Sequence, residues 1–78
     1  MIFEYSMDSL AQLKLRSISD KIVEIIMNEP YEILIENDNQ HIYQKIIEKY
    51  LYRVFINAHK NPILIKTVYR TSKIYKYQ

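Results

Sequence analysis

Apolar side chains change their spacing once along this chain, near residue 30. Before that point they recur at helical intervals. Met7, Leu10, Leu13 and Leu15 are spaced roughly one turn apart behind Ser6, a residue type that caps helix N-termini, and they predict a helix over about 7–16. Ile22, Val23, Ile25 and Ile26 form a denser stripe behind Ser19, with Asp20 placed to complement the positive end of the helix dipole. This second helix ends before Pro30, because the residue preceding a proline is pushed out of helical geometry. The stripe of four is the expected core face of the helical half.

After Pro30 the texture becomes β-branched and aromatic. Tyr31–Glu36, Gln40–Glu48, Leu51–Asn57 and Ile63–Tyr69 predict four strands, separated by Asn37-Asp38-Asn39, a short link near Lys49, and Ala58–Pro62. Such short links favour antiparallel neighbours. Ile2–Tyr5 is a short apolar entry compatible with an edge strand. The expected architecture is one α+β domain over residues 1–78, with two N-terminal helices on one face of an antiparallel sheet of about four strands and the other face partly free.

A chain of 78 residues buries only about 60% of its unfolded surface, so marginal stability or a stabilising partner is expected. An apolar share of 49% argues against disorder of the whole chain. There is no cysteine, and His41 and His59 lack a metal-motif spacing, so neither a metal nor a cofactor is expected. Glycine is also absent, which excludes the phosphate-binding loops that depend on its close backbone approach. No signal-like or membrane-spanning apolar run occurs, so the expected location is the cytoplasm.

Charge alters the picture most. All nine acids precede residue 49, while residues 49–78 carry seven Lys or Arg and none of the acids. The net charge of +2 therefore hides an acidic first part and a basic, tyrosine-rich end. Phosphates reward clustered cations and unpaired bases stack on aromatic rings, so this end points to a polyanion. A helix-turn-helix reading of the two helices fails on charge, because Asp20–Asn28 carries one Lys and two acids and would present a negative face to DNA.

Phe3-Glu-Tyr-Ser6, Leu10 with Lys14-Leu-Arg16-Ser-Ile-Ser19, Ile42-Tyr-Gln44, Arg53-Val-Phe-Ile-Asn57 and Thr67-Val-Tyr-Arg-Thr-Ser-Lys73 together resemble an uncharacterised bacterial family. Its members look like shortened relatives of the RelE/ParE-like toxins of toxin–antitoxin modules. The resemblance implies a metal-independent ribonuclease or RNA-binding domain acting on RNA or the ribosome, held by an acidic antitoxin-like partner. Two positions depart from the family pattern. Asp8 stands where a His is common, eight residues ahead of Arg16, and Ser17 stands where a Gly usually follows that Arg. The first puts histidine-dependent chemistry in doubt; the second costs on the order of 1 kcal/mol if the backbone there needs a positive φ.

Metal-free cleavage of RNA needs a base for the ribose 2′-OH and fixed cations for the charge that develops on phosphate. Arg53 and Arg70 are the first choices for phosphate contact, because a guanidinium fork matches two phosphate oxygens. Tyr69 and Tyr77 can stack a base or donate a proton. Strand alternation places Tyr69 on one face with Ile63, Ile65 and Thr67, which favours half-buried packing for it. Lys14, Arg16, Lys66, Lys73 and Lys76 complete the nucleic-acid-binding set. His41 opens a strand and is the nearby imidazole able to act as a base near neutral pH, against the plainer role of a strand-end residue; Asp8 reads as a first-turn charge on the helix dipole. The competing function is a non-catalytic module whose basic sheet face holds an acidic peptide or nucleic acid.

Overall fold

The computed structural model describes residues 1–77. Its elements are β1 (Phe3–Tyr5), α1 (Met7–Leu15), α2 (Asp20–Asn28), β2 (Glu32–Ile35), β3 (Gln40–Ile47), β4 (Tyr50–Asn57) and β5 (Ile63–Thr71), followed by a 3-10 helix (Ile74–Tyr77). The fold is α+β, as the spacing predicts, but the sheet has five strands and is mixed. Its order is β1-β5-β4-β3-β2, and the short N-terminal strand pairs parallel to β5 while the other neighbours are antiparallel. The expectation of about four antiparallel strands thus omits one parallel edge strand. Among the described residues, no helix is long and apolar enough to cross a membrane.

Both helices start where their caps predict. Ser6 Oγ accepts from the Ser9 amide at 3.0 Å, and Ser19 Oγ accepts from the Ile22 amide at 3.3 Å, each capping an N–H of the first turn. The end of α1 is closed by two reversed bonds, Ile18 N–H to Leu13 C=O at 2.9 Å and Ser17 N–H to Lys14 C=O at 3.3 Å. That closure requires a left-handed residue, and Ser17 supplies it at φ 53°. Ile18 and Leu13, brought together by the same turn, are both buried.

One core lies between the helices and the sheet. Val23, Ile26 and Met27 of α2 are buried against Tyr43, Tyr52, Val54, Ile56, Ile65 and Val68. The expected stripe is therefore rotated. Ile22 only flanks the core and Ile25 is 39% exposed, because the buried face follows 23, 26 and 27, from which position 25 points almost directly away. In α1 Ser9 and Leu13 are buried, while Met7, Leu10 and Leu15 face solvent.

The β3–β4 hairpin turns on Glu48 and Lys49 alone, with Ile47 opposite Tyr50. Glu48 has φ 58° and is the only central residue with positive φ, the pattern of a type II′ turn. The link before β3 is held by Asn37, whose Oδ1 accepts from the amides of Asn39 and Gln40, both at 2.9 Å.

β1 covers the edge of β5 only as far as Ile65, and α1 takes over from there. Gln12 Oε1 accepts from the Val68 amide at 2.8 Å, and Arg16 Nη1 donates to the Val68 carbonyl. Two helix side chains thus satisfy the strand edge that a longer β1 would have paired.

Candidate functional site

A single irregularity in β5 decides which side chains meet on the open face of the sheet. Ile56 pairs with Ile65 but Phe55 pairs with Thr67, so Lys66 is an extra, bulged residue. Ile63 and Ile65 consequently face the helices, whereas Thr67 and Tyr69 face the other way. The alternation argument, which placed Tyr69 with Ile63 and Ile65, fails at the bulge. Tyr69 instead stands opposite Arg53 on the face without helices.

Arg53 is the centre of that face. Its Nε donates to Gln44 Oε1 at 3.0 Å, and its Nη1 donates to the Tyr69 hydroxyl at 2.7 Å. Gln44, buried at 3% exposure, passes the chain on by donating from Nε2 to Glu32 Oε1 at 2.9 Å. The amide is thereby fixed with its oxygen toward the arginine. Tyr69 in turn donates to the Tyr77 hydroxyl at 3.5 Å, and the Tyr77 ring lies 4.4 Å from the Arg53 guanidinium carbon. Phe55 and Tyr69 complete the aromatic surround at 5.3 and 5.8 Å. The 3-10 helix over Ile74–Tyr77 brings Tyr77 onto this face of the sheet.

Polar order runs through this array in one direction. Arg53 donates a hydrogen bond to the Tyr69 oxygen and the Tyr69 hydroxyl donates toward Tyr77, so Tyr77 is the terminal acceptor. The two phenols are pushed apart accordingly. Tyr69 is raised above the ordinary tyrosine value, first by burial and then by its hydrogen bond with Tyr77. Tyr77 is lowered, first by the Tyr69 hydrogen bond and further by the charges of Arg53 and Lys76. Tyr69 thus holds its proton more firmly than an ordinary tyrosine, and Tyr77 less firmly. Beside them a groove of about 360 Å³ is lined by Tyr31, Glu32, Gln44, Ile46, Leu51, Ile74 and Tyr77.

The remaining residues of the predicted set are dispersed. Arg70 lies on the helix side of the sheet, 5.2 Å from the Tyr50 ring, with Nη1 3.5 Å from the Ser17 carbonyl. Arg53 and Arg70 therefore do not share a face. Arg16 lines a cleft of about 440 Å³ with Tyr69 and Arg70 at the α1–α2 junction. Lys14 is exposed on the outer side of α1, and Lys66 sits at the bulge beside Asn37, Asn39 and Asn57. Lys73 and Lys76 are exposed on the tail that carries Tyr77. His41 pairs with Ile56 and so faces the helix side, away from Arg53. Asp8 is exposed in the first turn of α1.

Gln44, Phe55 and Glu32 were not foreseen. A two-residue turn with Ile47 opposite Tyr50 fixes Gln44 opposite Arg53 by counting back equally along both strands, so the short link near Lys49 held that signal. Among the described residues, no group of three or more His, Asp or Glu is arranged to hold a metal ion. No protein-family model, curated protein or solved structure matches this chain.

Proposed function

We propose that the Arg53 face binds the sugar-phosphate backbone of single-stranded RNA, in a small RelE/ParE-like toxin-type domain of the cytoplasm that acts as a metal-independent ribonuclease. The observation that carries this reading is the oriented relay from Arg53 through Tyr69 to Tyr77. The bonds to Gln44 and Tyr69 use two of the five donors of the guanidinium, leaving three for phosphate oxygens. Tyr77 is the group suited to take the 2′-OH proton, Arg53 stabilises the charge that forms on phosphorus-bound oxygen, and Tyr69 returns a proton to the leaving oxygen. Lys73 and Lys76 extend the positive surface along the tail. Asp8, in place of a histidine, leaves this chemistry to the phenols.

The test is incubation of a labelled single-stranded RNA with the protein in chelator, followed by mapping of the ends. Cuts at defined positions with 2′,3′-cyclic phosphate ends support the ribonuclease reading, and Tyr77→Phe should then lower the rate at least tenfold. Binding also has a signature: Arg53→Gln with Lys73→Ala and Lys76→Ala should reduce the salt slope by about 2, at roughly 0.7 per phosphate contact, while Arg16→Ala with Arg70→Ala leaves it nearly unchanged. Salt-dependent binding without cleavage would select the second reading, a non-catalytic module for nucleic acid or an acidic antitoxin-like peptide. That reading draws on the same cationic face and on the ordinary weakness of tyrosine as a base. No binding to RNA at low salt would remove the first reading.

A further inference from the structure

The outward face of α1 is apolar without a partner among the described residues. Met7 is 88% exposed, Leu15 83% and Leu10 52%, and Asp8, Ala11 and Lys14 are exposed beside them. Ser9 and Leu13 are the buried residues of the helix, so the direction opposite to them passes through Ala11. Large side chains flank this small central residue on both sides, Met7 one turn before it and Leu15 one turn after. Asp8 lies in the first turn and Lys14 in the last.

We infer that α1 is a self-pairing surface, on which a second copy of this chain docks its own α1 antiparallel about a two-fold axis through Ala11. The residues of the face are disposed symmetrically about that position. In the pair, Met7 meets Leu15 of the second copy and Asp8 meets its Lys14, and the reverse contacts follow from the symmetry. Both charge contacts are attractive and both apolar contacts are matched, which no parallel arrangement achieves. Ala11 against Ala11 lets the helices approach at the close end of the 8–10 Å range. The antiparallel helix dipoles reinforce the arrangement. An acidic or basic partner helix would satisfy only one of the two charged positions, whereas a second copy satisfies both.

A helix of nine residues is about 13 Å long and covers less than the roughly 800 Å² per partner of a standard interface. The dimer is therefore weak and in rapid exchange, with a dissociation constant on the order of 0.1–1 mM. The open face with Arg53 lies on the other side of the sheet, so pairing leaves both copies of it accessible.

The absence of cysteine makes the test direct. With axes about 8–10 Å apart and Cα atoms about 2.3 Å off each axis, facing Cα atoms at Ala11 come to about 3.5–5.5 Å in the pair, a range that reaches the span of a disulfide. Oxidation of Ala11→Cys should therefore cross-link most of the protein, while His59→Cys, in the distant β4–β5 loop, should cross-link far less. Sedimentation equilibrium should show mass rising with concentration in the unmodified chain. Ala11→Glu places like charges at the axis and should weaken association at least tenfold, with a thermal melt confirming that the exposed substitution leaves the fold intact. Asp8→Lys alone should also weaken it, and Asp8→Lys with Lys14→Asp should restore it to within about threefold, because the contacts are merely exchanged. A strictly monomeric protein at about 1 mM overturns the inference. So does association that Ala11→Glu leaves unchanged, or equal cross-linking of the two cysteine variants.

Discussion

Replacing Ser17 with glycine should stabilise the domain, and the size of the gain follows from the end of α1. The reversed bonds from Ile18 and Ser17 exist only if residue 17 is left-handed, and at φ 53° a side chain with a Cβ is crowded against its own carbonyl. That crowding costs about 1–2 kcal/mol, which glycine does not incur. Glycine loses about 0.5–1 kcal/mol of it again through the greater freedom of the unfolded chain. The net expectation is a gain of about 0.5–1 kcal/mol, or about 2–8 °C in melting temperature for a domain of this size. Thermal and urea unfolding of Ser17→Gly, Ser17→Ala and Ser17→Val measure it. Alanine keeps the Cβ and should be nearly neutral, whereas the β-branched valine should destabilise. A glycine variant that melts at or below the parent temperature would show that the turn is held by the serine side chain, and the backbone account would fail.

Other outcomes follow from different parts of the molecule. The Tyr5 hydroxyl is buried without a hydrogen-bond partner, so Tyr5→Phe should stabilise the protein by up to about 1 kcal/mol at neutral pH, read from chemical denaturation. Burial, then Asp20 and Glu24, push the Tyr5 phenol up to about 12; the folded chain keeps this proton while the unfolded chain loses it at 10, so the parent should lose stability between pH 10 and 12. This loss, about 1 kcal/mol after allowance for solvent at the ring, should be absent in Tyr5→Phe melts. In the core, Ile26→Ala should cost about 2–5 kcal/mol and Ile25→Ala less than about 1, a contrast that equal losses would refute. Because Tyr77 is lowered and must be deprotonated to act as a base, any RNA cleavage should accelerate as pH rises and level off before the ordinary tyrosine value of 10 is reached, and Tyr77→Phe should flatten the profile.

Local chemistry made much of this fold legible. Ser6 and Ser19 mark both helix starts, Pro30 follows the end of the second, and Asn37 marks the turn into β3, because each acts through its immediate neighbours. The rotation of α2 was harder to read, since four apolar residues in five allow more than one buried face and the choice belongs to the sheet. The short apolar run Ile2–Tyr5 marks the edge strand β1, but its parallel pairing with a strand sixty residues away is set by no local pattern. For the site, Arg53, Tyr69 and Tyr77 were visible as residue types in a basic, aromatic segment. Their meeting depends on the bulge at Lys66, and an extra residue in a strand of alternating Ile, Leu, Thr and Val has no compositional mark. Arg16 and Arg70, equally cationic in the sequence, are drawn to carbonyls and a ring on the helix side.

The amide of Val68 bonds to a glutamine side chain on α1, because it lies on the stretch of β5 that β1 does not reach. Its neighbours exchange their protons with solvent only when strands separate. Val68 can exchange whenever α1 lifts, with the rest of the ladder intact. One backbone position thus works as a built-in gauge of helix docking, and a hydrogen-exchange rate faster there than at Thr67 or Tyr69 would time the opening of the α1 face separately from the unfolding of the protein.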